Sequence, residues 1–175
     1  MKNEEVTFSV DRKLTKKDWD ESAKLAQNFF HTENKLDEIQ ISEENKRFLQ
    51  KYIPDCHNII RAGRKVIGST FIIPCNKELM KKFLTKKISE KDLFEEVKKK
   101  ITYKNFDTIY LCSSFLKEEY RGRGLAIEGR IKSIKKILQG RRIKPILFSW
   151  AQTKEGKKSV KRTASLLRYE LKLRV

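Results

Sequence analysis

Hydrophobic residues follow two different spacings along the chain, and these spacings predict where strands and helices form. Alternating or short continuous apolar stretches predict strands at 5–10, 58–61, 65–73, 107–116 and 145–148. Apolar residues that recur every three to four positions predict helices at 15–30, 42–51, 77–100, 124–138 and about 158–173. No internal repeat or linker separates these elements, so the sequence predicts one domain over residues 1–175 with a mixed α/β layer architecture.

Two of the predicted helices begin with a complete capping motif. Thr15 is placed as an N-cap with Asp18 as its reciprocal partner, and Ser89 stands in the same relation to Asp92. The second motif lies in a lysine-rich insertion, 77–105, between the third and fourth strands. Its apolar stripe predicts a helical hairpin packed on the core. An arm that binds nucleic acid and a docking site for a partner protein are the alternatives.

The charge of the chain is strongly asymmetric. The formal net charge is +18, yet residues 1–60 carry a net −2 and residues 61–175 a net +20. Such an excess favours an anionic partner for the second part, namely a phosphorylated cofactor, a nucleic acid or an acidic protein. A solvated basic surface without a partner is the alternative. A polyamine substrate would be repelled at long range.

Composition argues against several classes of protein. Three widely spaced cysteines, Cys56, Cys75 and Cys112, do not fit a disulfide scaffold or a CxxC zinc site, and they suit a reducing cytoplasm. Two histidines are too few for a histidine-rich metal site. No apolar run reaches the roughly 18 residues of a membrane span, and the polar start of the chain does not resemble a signal peptide. We therefore expect a cytoplasmic protein without a metal or a membrane contact.

One segment combines features that indicate phosphate binding. A predicted strand ends near Leu116, a short loop with Gly122 and Gly124 follows, and a helix then begins. Backbone N–H groups at such a junction are unpaired and point in one direction, and the helix dipole adds positive potential. Glycines let a phosphate approach the backbone, while Arg121 and Arg123 add charge and forked donors. The segment predicts an anion-binding loop.

Two common phosphate-binding motifs do not fit this loop. A Walker loop requires Gly-Lys followed by Ser or Thr, and the chain has no such triplet. A dinucleotide-binding loop requires a small residue where this chain has Ile127, and an acidic residue about 20 positions further on. The later region instead carries Arg141 and Arg142.

The loop resembles the pyrophosphate loop of the Gcn5-related N-acetyltransferase (GNAT) superfamily. That loop reads Arg/Gln-x-x-Gly-x-Gly/Ala, and the matching residues are Arg121-Gly122-Arg123-Gly124-Leu125-Ala126. The hairpin around Lys65–Gly68, and a strand and helix downstream, extend the similarity from about residue 6 to residue 169. The resemblance implies a GNAT-like, mostly antiparallel central sheet flanked by helices. It also implies an N-acetyltransferase in which a primary amine attacks acetyl-CoA directly.

The resemblance further implies which residues bind acetyl-CoA and which one acts in catalysis. The pyrophosphate would be held by the backbones of Arg121, Gly122, Arg123, Gly124, Leu125 and Ala126. The pantetheine arm would bind the backbones of Ser114, Phe115 and Leu116, and an amide there would polarise the thioester carbonyl. The family's tyrosine general acid on the last helix corresponds to Tyr169, for which a role in core packing is the alternative.

The chain departs from the family pattern where a general base is expected. The strand residues Phe148-Ser149-Trp150 include no acid, and Glu118 and Glu119 are interpreted as solvated turn residues. Cys112 is interpreted as a buried small residue, because a nucleophilic cysteine requires a depressed pKa and a nearby base. Arg162 stands where the family often has an asparagine, seven residues before the tyrosine.

A second departure concerns the C-terminal part. The last predicted helix leads directly to Val175, so the family's C-terminal β-hairpin has no counterpart in the prediction. A partner subunit, as in a homodimer, is one way to complete the acceptor site.

Two functions follow as hypotheses. The first is an acetyl-CoA-dependent N-acetyltransferase, whose unknown amine acceptor the charge favours on an anionic macromolecule such as RNA or an acidic protein. The second is a catalytically reduced GNAT-like module that binds nucleic acid through its basic C-terminal part. No helix-turn-helix, RNP or KH motif supports the second hypothesis.

Overall fold

The structure, a computed structural model, describes residues 4–175. Its α-helices are α1 (Lys16–Phe30), α2 (Glu43–Tyr52), α3 (Lys77–Leu84), α4 (Glu90–Lys100), α5 (Leu125–Ile137) and α6 (Lys154–Leu167). Its strands are β1 (Val6–Phe8), β2 (His57–Ala62), β3 (Lys65–Cys75), β4 (Thr108–Leu116), β5 (Ile146–Ser149) and β6 (Leu171–Leu173). Residues 1–3, part of the polar start that does not resemble a signal peptide, lie outside the described residues.

All six strands join one mixed sheet in the order β1-β2-β3-β4-β5-β6. The pairs from β1 to β4 are antiparallel, whereas β4, β5 and β6 run parallel to one another. The α/β architecture predicted from the hydrophobic spacing is therefore confirmed. Parallel pairing at the β4–β5 junction requires a crossover, and α5 provides it.

Helices cover both faces of this sheet. Neighbouring residues of a strand point to opposite faces. On β3, the side chain of Thr70 faces Gly129 of α5, where a Cβ would lie 3.3 Å from it. The next residue, Phe71, packs edge-on against Phe94 of α4 with ring centroids 5.9 Å apart. The inserted helices α3 and α4 thus pack on the core, as the apolar stripe of the insertion predicts.

Local signals in the sequence place several elements correctly. Both predicted capping boxes are present, with Thr15 and Asp18 at the start of α1 and Ser89 and Asp92 at the start of α4. Gly68 occupies a point of close backbone approach, because a Cβ there would overlap the carbonyl of Phe115. Each of these motifs depends on a few neighbouring residues or on one pair of strands, so it can be predicted from the sequence.

The C-terminal prediction is wrong in its boundaries. The last helix begins at Lys154, capped by the hydroxyl of Thr153, and ends at Leu167. Arg168 then adopts a left-handed backbone (φ 56°), and Leu171 and Leu173 form β6 beside β5. In the sequence, the leucines of α6 and β6 have the spacing of the apolar residues of a single helix. Tyr169 consequently lies in the connection between α6 and β6, and not on the last helix as expected.

Candidate functional site

A cleft of about 1140 Å³ lies where β4 and β5 separate. The two strands pair only over 108–110 of β4 and 146–148 of β5. Beyond Tyr110, β4 continues to Leu116, and no strand of the described chain pairs with that edge. Because alternate residues of β4 direct their N–H and C=O groups away from β3, this stretch presents to the cleft backbone groups that no strand of the described chain pairs with.

An irregularity in β4 lies beside the point of separation. Phe71 of β3 pairs with Ser113, but the next residue, Ile72, pairs with Leu111, so Cys112 is an extra residue in β4. Such a bulge leaves the backbone of the extra residue outside the ladder. The hydroxyl of Ser149 donates to the carbonyl of Leu111 at 2.8 Å and fixes the end of β5 at this place.

The predicted anion-binding loop forms the other end of the cleft. Gly122 and Gly124 both have left-handed backbones (φ 76° and 75°), which other residues rarely adopt. Gly124 is the N-cap of α5, and no side chain caps the helix there. The N–H groups of the first turn therefore face the cleft without a partner, where the helix dipole favours a negative charge.

The two arginines of the loop occupy different places. The Nε of Arg121 donates to the carbonyl of Leu116 at 3.1 Å, and its guanidinium lies 5.7 Å from the ring of Phe29 at the edge of the cleft. Arg123 instead donates to the carbonyl of Glu119 at 2.9 Å and stacks over Tyr120. Arg121 thus adds positive charge beside the helix terminus, whereas the side chain of Arg123 is turned back onto the loop.

Most of the predicted cofactor-binding residues meet in this cleft. Those that line it are Ser114, Phe115, Leu116, Arg121, Gly122, Gly124, Leu125 and Ala126. Arg123 does not belong to the lining. Tyr169 does not either, and its partly buried ring packs on the main hydrophobic core. The structure therefore brings the predicted loop and strand together and leaves the predicted general acid outside.

A buried cation lies between β4 and α6. Arg130 of α5 is only 3% exposed, and its guanidinium donates to the hydroxyls of Ser114 and Ser159, each at 2.7 Å. No carboxylate of residues 4–175 forms a salt bridge with it, and its Nε has no partner. Burial lowers the pKa of Arg130 to about 10, so the side chain stays charged at neutral pH. The cleft therefore carries an uncompensated positive charge, which favours a ligand with oxygen acceptors.

The inserted hairpin places a carboxylate in the same cleft. Glu90, the first residue of α4, accepts a hydrogen bond from the hydroxyl of Tyr110 at 2.6 Å. It also accepts one from the backbone N–H of Ile39 at 3.3 Å, and the thiol of Cys112 lies 3.5 Å away. One carboxylate thus connects α4, β4 and the segment between α1 and α2, directly beside the bulge.

The electrostatics of this cluster suit a base and disfavour a thiolate. Burial raises the pKa of Glu90 above its ordinary value, in spite of the hydrogen bond from Tyr110. Burial and the neighbouring Glu90 raise the pKa of Cys112 well above that of a free thiol. Cys112 is therefore protonated at neutral pH, and a carboxyl group with a raised pKa is better matched to proton transfer near neutrality.

Sequence reasoning missed Glu90 for a physical reason. An acidic residue directly after an N-cap is typical of the first turn of any helix, because it interacts favourably with the helix dipole. Nothing in the local sequence distinguishes Glu90 from Glu43 at the start of α2, which is exposed. Its proximity to Tyr110 and Cys112 depends on how the hairpin packs across β4, a contact over some 20 residues.

No family model matches this chain, and no curated protein matches it. Within residues 4–175, no group of three or more His, Cys, Asp or Glu side chains is placed to hold a metal ion. No α-helix of that part is long and apolar enough to cross a membrane. The function is therefore inferred from the geometry of the cleft.

Proposed function

We propose that the protein is an acyl-CoA-dependent N-acyltransferase with a GNAT-like architecture, using acetyl-CoA as donor and a primary amine as acceptor. One observation carries the proposal. The uncapped N-terminus of α5 and the unpaired edge of β4 lie in the same cleft, joined by the loop Lys117–Gly124. A diphosphate suits the first of these features. An extended chain with amide groups suits the second, because it adds to β4 as a strand would.

The length of the unpaired β4 edge supports this arrangement. At about 3.3 Å per residue, the stretch from Leu116 to Cys112 spans about 13 Å. A pantetheine arm that leaves the loop at Leu116 therefore brings its thioester to the bulge. The thioester carbonyl then lies beside the bulge at Cys112, where a backbone N–H outside the ladder would polarise it. Arg130 borders the path of the arm and supplies a donor to its carbonyl oxygens.

Glu90 is the general base in this proposal. The amine nitrogen attacks the thioester carbon and forms the C–N bond, and its proton passes to the carboxylate of Glu90. The tetrahedral intermediate collapses with cleavage of the C–S bond, and the thiolate of CoA leaves. The proton taken up by Glu90 reaches the thiolate through solvent, so that the products are an amide and free CoA. Tyr169 has no part in this scheme because it lies outside the cleft.

Two measurements test the proposal. Calorimetry should show binding of acetyl-CoA to the purified protein, and mass spectrometry should detect free CoA together with an acetylated amine when amines are added. Absence of acetyl-CoA binding at millimolar concentration would end the proposal. Binding without CoA release from any primary amine would leave a binding module and reject the transferase.

A further inference from the structure

Aromatic rings form the wall of the cleft on the side of α1 and α4. The lining residues of this type are Trp19, Phe29, Phe30, Phe71, Phe94, Phe115 and Trp150. Phe29, Phe30 and Phe115 form one group, with ring centroids 4.9 to 5.9 Å apart. Phe71 and Phe94 form a second contact at 5.9 Å. This part of the cleft therefore favours an apolar group with a flat face.

Glu90 supplies a partly buried negative charge to this wall. Glu38 also lines the cleft, but it pairs with Lys35 at 3.2 Å, and Glu155 is exposed. Glu90 forms no salt bridge with a cation of the described chain, and its neighbours Tyr110, Ile39 and Cys112 are neutral, while the nearby carboxylate of Glu38 raises its pKa further. A single positive or polar amino group is what this carboxylate can accept beside the aromatic wall.

We infer that the acceptor is a primary amine carried on an aromatic or similarly apolar group, an inference that rests on the proposed transferase function. The amino group lies at Glu90, next to the bulge where the thioester ends, and the apolar part lies against the rings. This class of acceptor differs from the anionic macromolecule that the net charge favours. Arg121 and Arg130 lie at the loop and beside α6, where the donor is placed, whereas the aromatic rings and the carboxylate of Glu90 form the wall on the side of α4.

Two other kinds of amine, a polyamine and a lysine side chain of a peptide or protein, fit this wall less well. A polyamine bound through one end places a second ammonium group near the aromatic rings, where the neighbouring carboxylate of Glu38 is already paired with Lys35, and burying an unpaired charge is costly. A lysine side chain on a peptide or protein brings polar backbone groups to the rings, which offer them no hydrogen bonds. An arylalkylamine satisfies both features at once.

Tryptophan fluorescence gives a direct measurement, because Trp19 and Trp150 both line the cleft. The probes are 2-phenylethylamine, spermidine and a lysine-containing tripeptide, each titrated into the protein saturated with CoA. CoA release from acetyl-CoA is followed in parallel for the same three amines. We expect 2-phenylethylamine to bind at least ten times more tightly than the other two and to give the largest kcat/KM.

Two substitutions sharpen the test. Phe30 lines the cleft but belongs to none of the hydrophobic core clusters, so Phe30→Ser should fold and should weaken 2-phenylethylamine binding several-fold. Leu36→Ser is the matched control, because Leu36 is 80% exposed and does not line the cleft, and it should bind like the wild type. Spermidine or the tripeptide binding as tightly as 2-phenylethylamine would overturn the inference, as would an unchanged affinity in Phe30→Ser. Failure of acetyl-CoA itself to bind would reject the proposed function, which distinguishes the two failures.

Discussion

The carboxylate of Glu90 holds together three segments that are distant in the sequence. It accepts hydrogen bonds from Tyr110 of β4 and from Ile39 before α2, and it begins α4. Burial raises its pKa, and in the proposed reaction its position beside the bulge gives it access to the amine. At the scale of single residues, Glu90 is therefore the group on which the proposed chemistry depends.

Replacing Glu90 should abolish most of the activity and change its pH dependence. Glu90→Gln keeps the shape and an oxygen acceptor but cannot take up a proton, so kcat should fall about 100-fold, within the range of general base catalysis. The wild-type rate should rise with pH through the raised pKa of Glu90, and the variant should lack this limb. Stopped-time assays of CoA release between pH 5 and 9 measure both effects.

Glu95→Gln is the control for this experiment. Glu95 lies on the same helix, pairs with Lys98 at 2.6 Å and is exposed. Its substitution should leave the rate and the pH profile unchanged. An unaltered ascending limb in Glu90→Gln would assign the base to another group.

A partly buried histidine makes stability depend on pH. His57 lies between Trp19 and Phe71, with ring centroids at 5.2 and 6.0 Å, and burial lowers its pKa from 6.5 to about 4. Because the unfolded chain binds this proton more readily, the contribution of neutral His57 to stability is complete above pH 6.5. It is lost progressively as the pH falls from 6.5 towards 4.

Denaturant unfolding at several pH values checks this prediction. His57→Gln removes the titrating group, so the loss of unfolding free energy between pH 7 and 4.5 should be smaller in the variant than in the wild type. Glu90 has the opposite effect on stability, because its raised pKa lets the folded state bind a proton before the unfolded state as the pH falls. Both proteins contain Glu90, so comparing them at each pH cancels this effect. Parallel curves for the two proteins would show that His57 does not titrate as described.

The loop before α5 and the edge of β4 act as a unit at the scale of secondary structure elements. The loop exposes the first turn of the helix, and the separation from β5 exposes the strand. A ligand that uses only one of these elements leaves the other with unpaired backbone groups. Both together favour a long ligand with an anionic head and an extended tail.

Substitution of Gly124, the N-cap of α5, should weaken acetyl-CoA binding. The free energy of unfolding should fall no more than it does for a glycine-to-alanine change at another left-handed position. Gly124→Ala places a side chain on a left-handed backbone at a strain of about 1–2 kcal/mol and displaces the amides of the first turn. We expect the affinity for acetyl-CoA, measured by calorimetry, to fall at least ten-fold.

Gly140→Ala provides the matched control. Gly140 has nearly the same backbone conformation (φ 77°), has no neighbour that a Cβ would meet, and lies outside the cleft. It should lose a similar free energy of unfolding and keep its affinity for acetyl-CoA. Equal affinities in both alanine variants would show that the amides before α5 do not bind the cofactor.

The elements differ in how far the sequence predicts them. Helix α1 and the β2–β3 hairpin follow from a capping box and from alternating residues around a turn, so their positions are predicted within a few residues. The end of α6 is not predicted, because Leu171 and Leu173 fit a helical stripe as well as a strand until β5 is available as a partner. The sequence predicts the loop of the cleft, because the loop is a local motif. It does not predict that Glu90 and Arg130 lie there, because contacts between distant elements bring them to the cleft.

The charge of the whole molecule leads to a prediction that is separate from the cleft. Helix α6 carries several cations that form no salt bridge within the described part of the chain; among these, Lys157 and Lys161 are exposed. A polyanion should bind this surface weakly, with an affinity that falls steeply between 50 and 200 mM salt as counterions are released. Anisotropy of a labelled single-stranded RNA measures this binding.

A double variant locates the polyanion surface. Lys157→Glu with Lys161→Glu should weaken RNA binding and reduce its salt dependence, whereas Lys24→Glu on α1 should change it little. Affinity that is unaffected by salt would contradict an electrostatic origin. Saturating acetyl-CoA should leave RNA binding in place, because the two exposed lysines do not line the cleft.

A crystal structure of the protein with CoA would show whether the cofactor occupies the cleft. We expect the diphosphate within hydrogen-bond distance of the amides of residues 122–126, the pantetheine arm along β4 from Leu116, and the sulfur atom beside Cys112. CoA bound at another surface, or an empty cleft at saturating CoA, would contradict the proposed binding mode.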